Sequence, residues 1–178
     1  MSGGNDPLTI GTEAQVGEPA KVVALLVSSP ALSSILGTVL ASAPSLRVRP
    51  FESQLALTTY MRLAPVDLVV SDFDCERAPA DQLARDLHAD ANLERHDFQV
   101  IALATRVTPH TKQASIEAGI DEIIVKPMSP KYLLERVLSR LQRKAGAARR
   151  IPRVLPRAPD YSGSNVVPLF GRPPQTLH

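Results

Sequence analysis

The stretch that decides the fold is Val66-Asp67-Leu68-Val69-Val70-Ser71-Asp72-Phe73-Asp74. Its central apolar run is bounded by Pro65 before it and by a polar cluster after it. A short continuous apolar run predicts a strand buried on both faces, which is typical of a parallel sheet covered by helices. The strand ends on two carboxylates, Asp72 and Asp74. Because ligand chemistry in open α/β sheets gathers outside the carboxyl ends of strands, both are candidate site residues. The alternative is that each braces the following loop, since Asp is a favoured turn former.

A second apolar strand ends on the opposite charge. Residues 118–127 read AGIDEIIVKP, so the strand is closed by Lys126 and then Pro127. Because parallel strands bring their carboxyl ends to one edge of the sheet, we expect Lys126 to lie beside Asp72. An ammonium group there can contact a phosphoryl group carried by the carboxylate, as a compact point charge.

The rest of the body alternates strands with helices. Apolar runs predict the other strands at residues 21–27, 46–50 and 98–103, and amphipathic periodicity predicts helices after each of the five strands. Three helices begin with a hydroxyl residue followed by proline, which suits an N-cap and the first helical position: Ser29-Pro30, Thr108-Pro109 and Ser129-Pro130. Short right-handed crossovers then place helices on both faces of a parallel sheet.

Together these stretches resemble the receiver domain of two-component response regulators. The matching motifs are DLVVSD at 67–72, VIALAT at 100–105, and the run from Ala118-Gly119 to Lys126-Pro127. The resemblance implies a flavodoxin-like (βα)5 fold, an α/β doubly wound five-stranded parallel sheet in the order 2-1-3-4-5. We expect a disordered N-terminal segment at 1–20, a receiver domain at 21–144, and a basic, proline-rich C-terminal tail at 145–178.

The resemblance also implies roles for the charged residues. In such domains the residue matching Asp72 is the phosphoacceptor, and it takes the phosphoryl group from a phosphohistidine of a partner kinase. The residue matching Lys126 stabilises the phosphoryl group. A Mg²⁺ ion, held by that Asp and by an acidic pair after the first strand, neutralises charge.

The acidic pair is missing from this chain. Val27 and Ser28, or Ser28 and Ser29 after a shift by one residue, stand where two acids are expected. Because hydroxyls are neutral, a divalent ion loses most of its compensating charge. Asp72 and Asp74 remain as the candidate metal ligands, with the loop brace as the alternative for Asp74.

The switch positions depart from the family pattern as well. Ala104 stands where a Thr or Ser usually binds the phosphoryl group, and Thr105, one place later, is the candidate displaced switch hydroxyl. Ile123 stands where an aromatic switch residue usually lies. These departures predict a degenerate receiver whose phosphorylation is weak, metal-poor or absent.

The composition indicates the cellular compartment of the protein. No apolar run reaches the length of about 18 residues that a membrane span requires. The N-terminus lacks a signal-peptide pattern and Cys75 is the single cysteine, which favours the cytoplasm and makes a disulfide within the chain impossible. Cys75 is interpreted as a small packing residue rather than a reactive thiol.

Charge is divided unevenly along the chain. Residues 1–125 hold 9 basic and 16 acidic residues, whereas residues 126–178 hold 11 and 2. The tail has neither interleaved aromatic residues nor a recognition helix, so we expect it to dock on protein, including its own acidic body, rather than on nucleic acid. The apolar run VVPLF at 166–170 is the candidate docking segment.

The sequence therefore predicts a single-domain receiver in phosphorelay signal transduction, acting through protein–protein contacts and not as an enzyme. The resemblance implies a histidine kinase or phosphotransfer protein as partner, and a homodimer face on the fourth helix, fifth strand and fifth helix. The candidate basic residues of this face are Arg106, His110, Lys112, Lys131 and Arg136, with an ordinary solvated surface as the alternative. The alternative is a phosphorylation-independent pseudo-receiver serving as an interaction or dimerisation module. A small flavodoxin-like enzyme is disfavoured, because no Gly-rich phosphate loop follows a strand.

Overall fold

Strands and helices alternate along the body of the chain. The computed structural model of the protein describes residues 19–76, 78–146 and 166–167. The elements, in chain order, are β1 Lys21–Leu26, α1 Pro30–Ala41, β2 Leu46–Pro50, α2 Gln54–Leu63, β3 Leu68–Asp72, α3 Ala80–Ala89, β4 Gln99–Ala104, α4 Pro109–Glu117, β5 Glu122–Val125, α5 Pro130–Gly146 and β6 Val166–Val167. None of the helices in these ranges is long and apolar enough to cross a membrane.

The sheet follows the predicted order, with one addition. Strands β1 to β5 are parallel and ordered β2-β1-β3-β4-β5, which confirms the doubly wound 2-1-3-4-5 arrangement. A sixth strand, β6, pairs antiparallel with β5, placing Val167 opposite Ile123 and Val166 opposite Ile124. The sequence did not predict β6 as a strand, because two residues are too few to show a period of two. The rest of the predicted tail (147–165 and 168–178) and residues 1–18 lie outside the described residues.

Strand β3 lies in the middle of the sheet and is buried on both faces, as its apolar run predicts. All five of its residues are buried. On one face, Val69 belongs to a core cluster with Leu57 of α2 and Leu83 of α3. On the other face, Val70 belongs to a second cluster with residues of α1 and α5. This two-sided core fixes the position of the β3 carboxyl end, where Asp72 lies.

The hydroxyl-proline pairs begin helices as expected. Ser29 Oγ accepts a hydrogen bond from the Leu32 N–H, Thr108 Oγ1 from the Thr111 N–H, and Ser129 Oγ from the Tyr132 N–H. Such a cap stabilises a helix by about 1 kcal/mol. Each of these helices follows a strand, so each cap also sets where the loop at the carboxyl edge of the sheet ends.

The apolar face of α1 is narrower than its sequence indicates. Leu36 and Leu40 are fully buried, but Ile35, which the periodicity also assigns to the core, is 53% exposed. Residues four apart share one face of a helix, whereas the neighbouring residue is rotated by about 100°. Ile35 therefore points away from the core that Leu36 enters.

Candidate functional site

Asp72 is buried at the carboxyl end of β3, and both of its oxygens accept hydrogen bonds. The residue is 2% exposed. Lys126 Nζ donates to Oδ1 at 2.9 Å. The backbone N–H and the hydroxyl of Ser28 both donate to Oδ2, at 2.9 Å and 2.6 Å. The structure therefore brings together Asp72 and Lys126, two residues 54 positions apart in the chain.

The sheet order explains how Lys126 reaches Asp72. Lys126 follows β5, which lies two strands from β3, with β4 between them. Strand β4 ends at Ala104, which is fully buried. The Lys126 backbone N–H donates to the Ala104 carbonyl at 2.8 Å, and the Lys126–Pro127 peptide bond is cis. The lysine is thus anchored at its backbone while its flexible stem extends to the central strand.

Asp74 braces the loop after β3. Its Oδ2 accepts hydrogen bonds from the Thr105 N–H at 2.6 Å and from the Thr105 hydroxyl at 2.7 Å. Lys126 Nζ lies 3.6 Å from the same oxygen. Partial burial tends to raise the pKa of Asp74, but the two Thr105 hydrogen bonds and the Lys126 charge outweigh it, so the pKa lies below its ordinary value. These are the loop-brace contacts that the sequence analysis gives as the alternative role of Asp74.

Ser28 occupies the place of an expected acid and contacts Asp72 directly. The sequence offered two alignments for the missing pair. Val27 is buried in the core and Ser29 caps α1, so only Ser28 of the three candidates reaches the site. Sequence reasoning treated Ser28 as a loss of charge and missed its role as a donor. This donor role depends on the β1–β3 register, which places Ser28 beside Asp72.

Three residues stand at or beside the candidate switch positions: Ala104, Thr105 and Ile123. Ala104 is fully buried and has no polar side-chain atom, and the Thr105 hydroxyl donates to Asp74 instead. Ile123 is fully buried and belongs to the core cluster on the α2 and α3 face of the sheet. The switch positions therefore hold a methyl group, a hydroxyl bound elsewhere and a fixed aliphatic side chain.

The residues at this edge do not fit a magnesium ion. Mg²⁺ requires near-octahedral oxygen coordination, usually with carboxylates supplying negative charge. In the described ranges, no group of three or more His, Cys, Asp or Glu side chains is placed to hold a metal. Both Asp72 oxygens already accept protein donors, and the Lys126 ammonium lies within 3.6 Å of Asp74 as well as contacting Asp72. Magnesium binding by Asp72 and Asp74 stays a prediction from the resemblance, and the function proposed below does not depend on it.

A second charged cluster lies at the other end of β5. Glu122 is 1% exposed and accepts hydrogen bonds from Arg136 Nε at 2.6 Å and Arg140 Nε at 2.5 Å. Burial tends to raise the pKa of Glu122, but the two guanidinium groups outweigh it and lower the pKa. Arg136, a candidate basic residue of the α5 face, keeps a side chain that is 25% exposed, and its charge is paired with this buried carboxylate. Arg140 also donates to the Asp121 carbonyl, so the cluster fixes α5 against the start of β5.

Comparison with known proteins finds structural relatives but no sequence match. The sequence matches no family model and no curated protein. A response regulator from Thermotoga maritima superposes with a TM-score of 0.59 at 25% identity, covering 69% of this chain and 98% of that one. A CheY-like receiver domain protein from Methanospirillum hungatei gives 0.63 at 17% identity, covering 71% and 98%. The chemotaxis protein CheY4 of Vibrio cholerae gives 0.60 at 21% identity, covering 70% and 99%.

These proteins share the strand order described above, and each is covered almost completely by the body of this chain. The alternation of elements, the central Asp72 strand and the Lys126 contact point the same way. The chain therefore carries a domain with the receiver fold of response regulators.

Proposed function

We propose that this chain is a receiver of phosphorelay signalling that acts through protein–protein contacts, with Asp72 as its phosphoacceptor. The observation that carries the proposal is the 2.9 Å contact between Lys126 Nζ and Asp72 Oδ1 at the carboxyl edge of the sheet. A phosphoryl group attached to Asp72 would lie close to the positive charge of Lys126. The proposed donor is a histidine kinase or a phosphotransfer protein, and the proposed location is the cytoplasm.

The chemical step is a transfer between a histidine nitrogen and a carboxylate oxygen. An Asp72 oxygen forms a new O–P bond, the N–P bond of the donor phosphohistidine breaks, and the imidazole nitrogen keeps the electron pair. Transfer of this kind depends on positioning and on charge stabilisation at the phosphoryl oxygens. Lys126 supplies the charge, and Ser28 holds the carboxylate in one orientation through two donors to the same oxygen.

A groove between α1 and the loops after β2 and β3 lies beside the site, and its lining includes neither Asp72 nor Lys126. Its volume is about 1270 Å³, and its lining includes Ser28 and Asp74 beside the carboxylate edge. Three carboxyl side chains, those of Glu52, Asp74 and Glu76, line the same groove. A basic or neutral surface on the donor protein suits this lining better than an acidic one, since unlike charges steer association.

A pseudo-receiver is the second candidate, and the Ser28 contact favours it. The Asp72 carboxylate joins the loop after β1 to the residue after β5, because Ser28 and Lys126 bind its two oxygens. In this role Asp72 is a structural latch, and the domain presents a constant surface to its partner.

Intact mass spectrometry with a small phosphodonor separates the two candidates. The full-length protein is incubated with acetyl phosphate, once with Mg²⁺ and once with EDTA, and followed for hours. We expect slow gain of one phosphoryl mass under both conditions, no gain in Asp72→Asn, and retained gain in Asp74→Asn. Absence of any modification in the folded wild type would rule out the phosphoacceptor and leave the pseudo-receiver.

A further inference from the structure

The two outer strands of the parallel sheet, β2 and β5, form its lateral edges and differ in sequence. Strand β2 forms one edge, and its sequence is LRVRP with Arg47 and Arg49 exposed. Charged side chains and a proline on an edge strand discourage another strand from pairing with it. This edge is therefore protected by its own sequence.

Strand β5 has no such protection. Its sequence is EIIV, without proline or lysine, and Ile123 and Ile124 are both fully buried. Its one charged residue, Glu122, is buried against Arg136 and Arg140. An apolar edge strand with free backbone groups is a template for another strand. In this chain β6 covers it, pairing with Ile123 and Ile124.

Strand β6 is short, and a long connection joins it to α5. Strand β5 has four residues, and β6 pairs with two of them. The 19 residues at 147–165 separate the end of α5 from β6. A chain of that length spans up to roughly 60 Å, whereas α5 is about 25 Å long. A connection of this length is enough to return the chain from the end of α5 to the edge of β5.

We propose that the outer edge of β5 is a strand-acceptor site whose occupant is the Val166–Val167 segment of this chain. The site takes an extended, β-branched segment through backbone hydrogen bonds, which is the β-augmentation mode of peptide recognition. Because a partner strand needs the same backbone groups, it binds only when the tail segment leaves. The proposal rests on the two unlike edges and on the β5–β6 pairing, and it is independent of whether Asp72 is phosphorylated.

Hydrogen exchange measured by NMR on the full-length protein tests occupancy of the edge. Alternate residues of a strand direct their N–H groups to opposite neighbours, so one of the Ile123 and Ile124 amides faces β6 and the other faces β4. We expect the β6-facing amide to exchange at least about ten-fold slower than the outward amides of β2, which have no partner strand. Equal, unprotected exchange at the two edges would overturn the proposal, and this comparison requires no variant.

A proline variant tests the segment itself. The double substitution Val166→Pro and Val167→Pro removes both N–H donors of β6, and Thr176→Pro is the control in the same tail. In the double variant the β6-facing amide should lose its protection while the β4-facing amide keeps it. Thr176→Pro should leave both unchanged. Loss at both amides, or at neither, contradicts the assignment.

Binding in trans tests whether the edge accepts a free strand. The probe is a fluorescent peptide of residues 162–170, and its control carries proline at both valine positions. We expect the probe to bind the double-proline protein at least about ten-fold tighter than wild type, whose edge is occupied. The control peptide should bind neither protein. Equal binding of the probe to both proteins, or to neither, would show that the tail does not occupy a strand-acceptor site.

Discussion

The hydroxyl of Ser28 donates a 2.6 Å hydrogen bond to Oδ2 of Asp72, and the N–H of the same residue donates to the same oxygen at 2.9 Å. Two neutral donors thus occupy the side of the carboxylate where the family pattern places acidic residues. They orient Asp72 without adding negative charge. Lys126 can therefore pair with Asp72 without a second cation to balance an acidic cluster.

Removing the Ser28 hydroxyl should weaken the fold. Ser28→Ala deletes a donor to a buried carboxylate but keeps the backbone N–H, so we expect a loss of about 2 kcal/mol in the free energy of unfolding. Urea denaturation measures this value. Ser34→Ala, at an exposed position of α1, is the control and should change stability by less than about 0.5 kcal/mol. A Ser28→Ala variant as stable as the control would show that the hydroxyl contributes nothing.

Removing the Lys126 charge should lower the free energy of unfolding by more than removing the Ser28 hydroxyl does. The size of this loss should depend on Asp72. Lys126→Met leaves a buried carboxylate without its counter-charge, so we expect a loss of about 3 kcal/mol at neutral pH. Asp72→Asn in the same chain should recover part of this loss, because the amide is neutral. A double-mutant cycle by denaturation at low and high salt gives the coupling energy. Additive effects of the two substitutions would contradict a direct interaction.

The Glu122 cluster should give the protein a stability that falls in acid. The folded-state pKa of Glu122 is lowered, so the folded state binds fewer protons than the unfolded state. The stabilisation that Glu122 contributes is complete above its unfolded-state pKa of about 4.3. It is lost as the pH falls through the lower folded-state pKa. Denaturation between pH 3 and pH 7 should show that Glu122→Gln is less stable than wild type at pH 7. The difference in the free energy of unfolding should become smaller as the pH falls. Glu117→Gln, exposed on α4, should show no such trend.

Gly119 should be intolerant of a side chain where Gly37 is not. Gly119 has φ of 75°, and an added Cβ would lie 3.0 Å from the ring of His88. We expect Gly119→Ala to lose about 1 to 2 kcal/mol, because both the backbone conformation and the ring oppose it. An added Cβ at Gly37 in α1 meets nothing within 4 Å, so Gly37→Ala should gain up to about 1 kcal/mol. Thermal unfolding of both variants gives the comparison, and equal changes would contradict it.

Much of this arrangement could be predicted from the sequence, because local patterns determine it. The buried run before Asp72, the strand before Lys126 and the hydroxyl-proline caps each indicate one element. Parallel strands must then share a carboxyl edge, which brings Asp72 and Lys126 together. Here local propensity and overall topology agree.

The features that were missed depend on contacts between distant segments. The sequence indicates the apolar run at 166–170 as a docking segment, but its pairing with β5 joins residues more than 40 positions apart, so the strand it pairs with could not be predicted. The ion pair of Arg136 with Glu122 crosses the β5–α5 connection, and a basic residue on an amphipathic helix gives no sign of it. Ser28 differs again, since its donor role follows only from the β1–β3 register that places it beside Asp72.

The most direct measurement locates the phosphoryl group on the chain. Full-length protein treated with acetyl phosphate is reduced with borohydride, which converts an aspartyl phosphate to homoserine, and its peptides are sequenced by mass spectrometry. We predict homoserine at position 72 in wild type, its absence from Asp72→Asn, and a reduced yield in Lys126→Met. Homoserine at position 74, or at no position while the protein remains folded, would contradict the assignment of Asp72 as the phosphoacceptor.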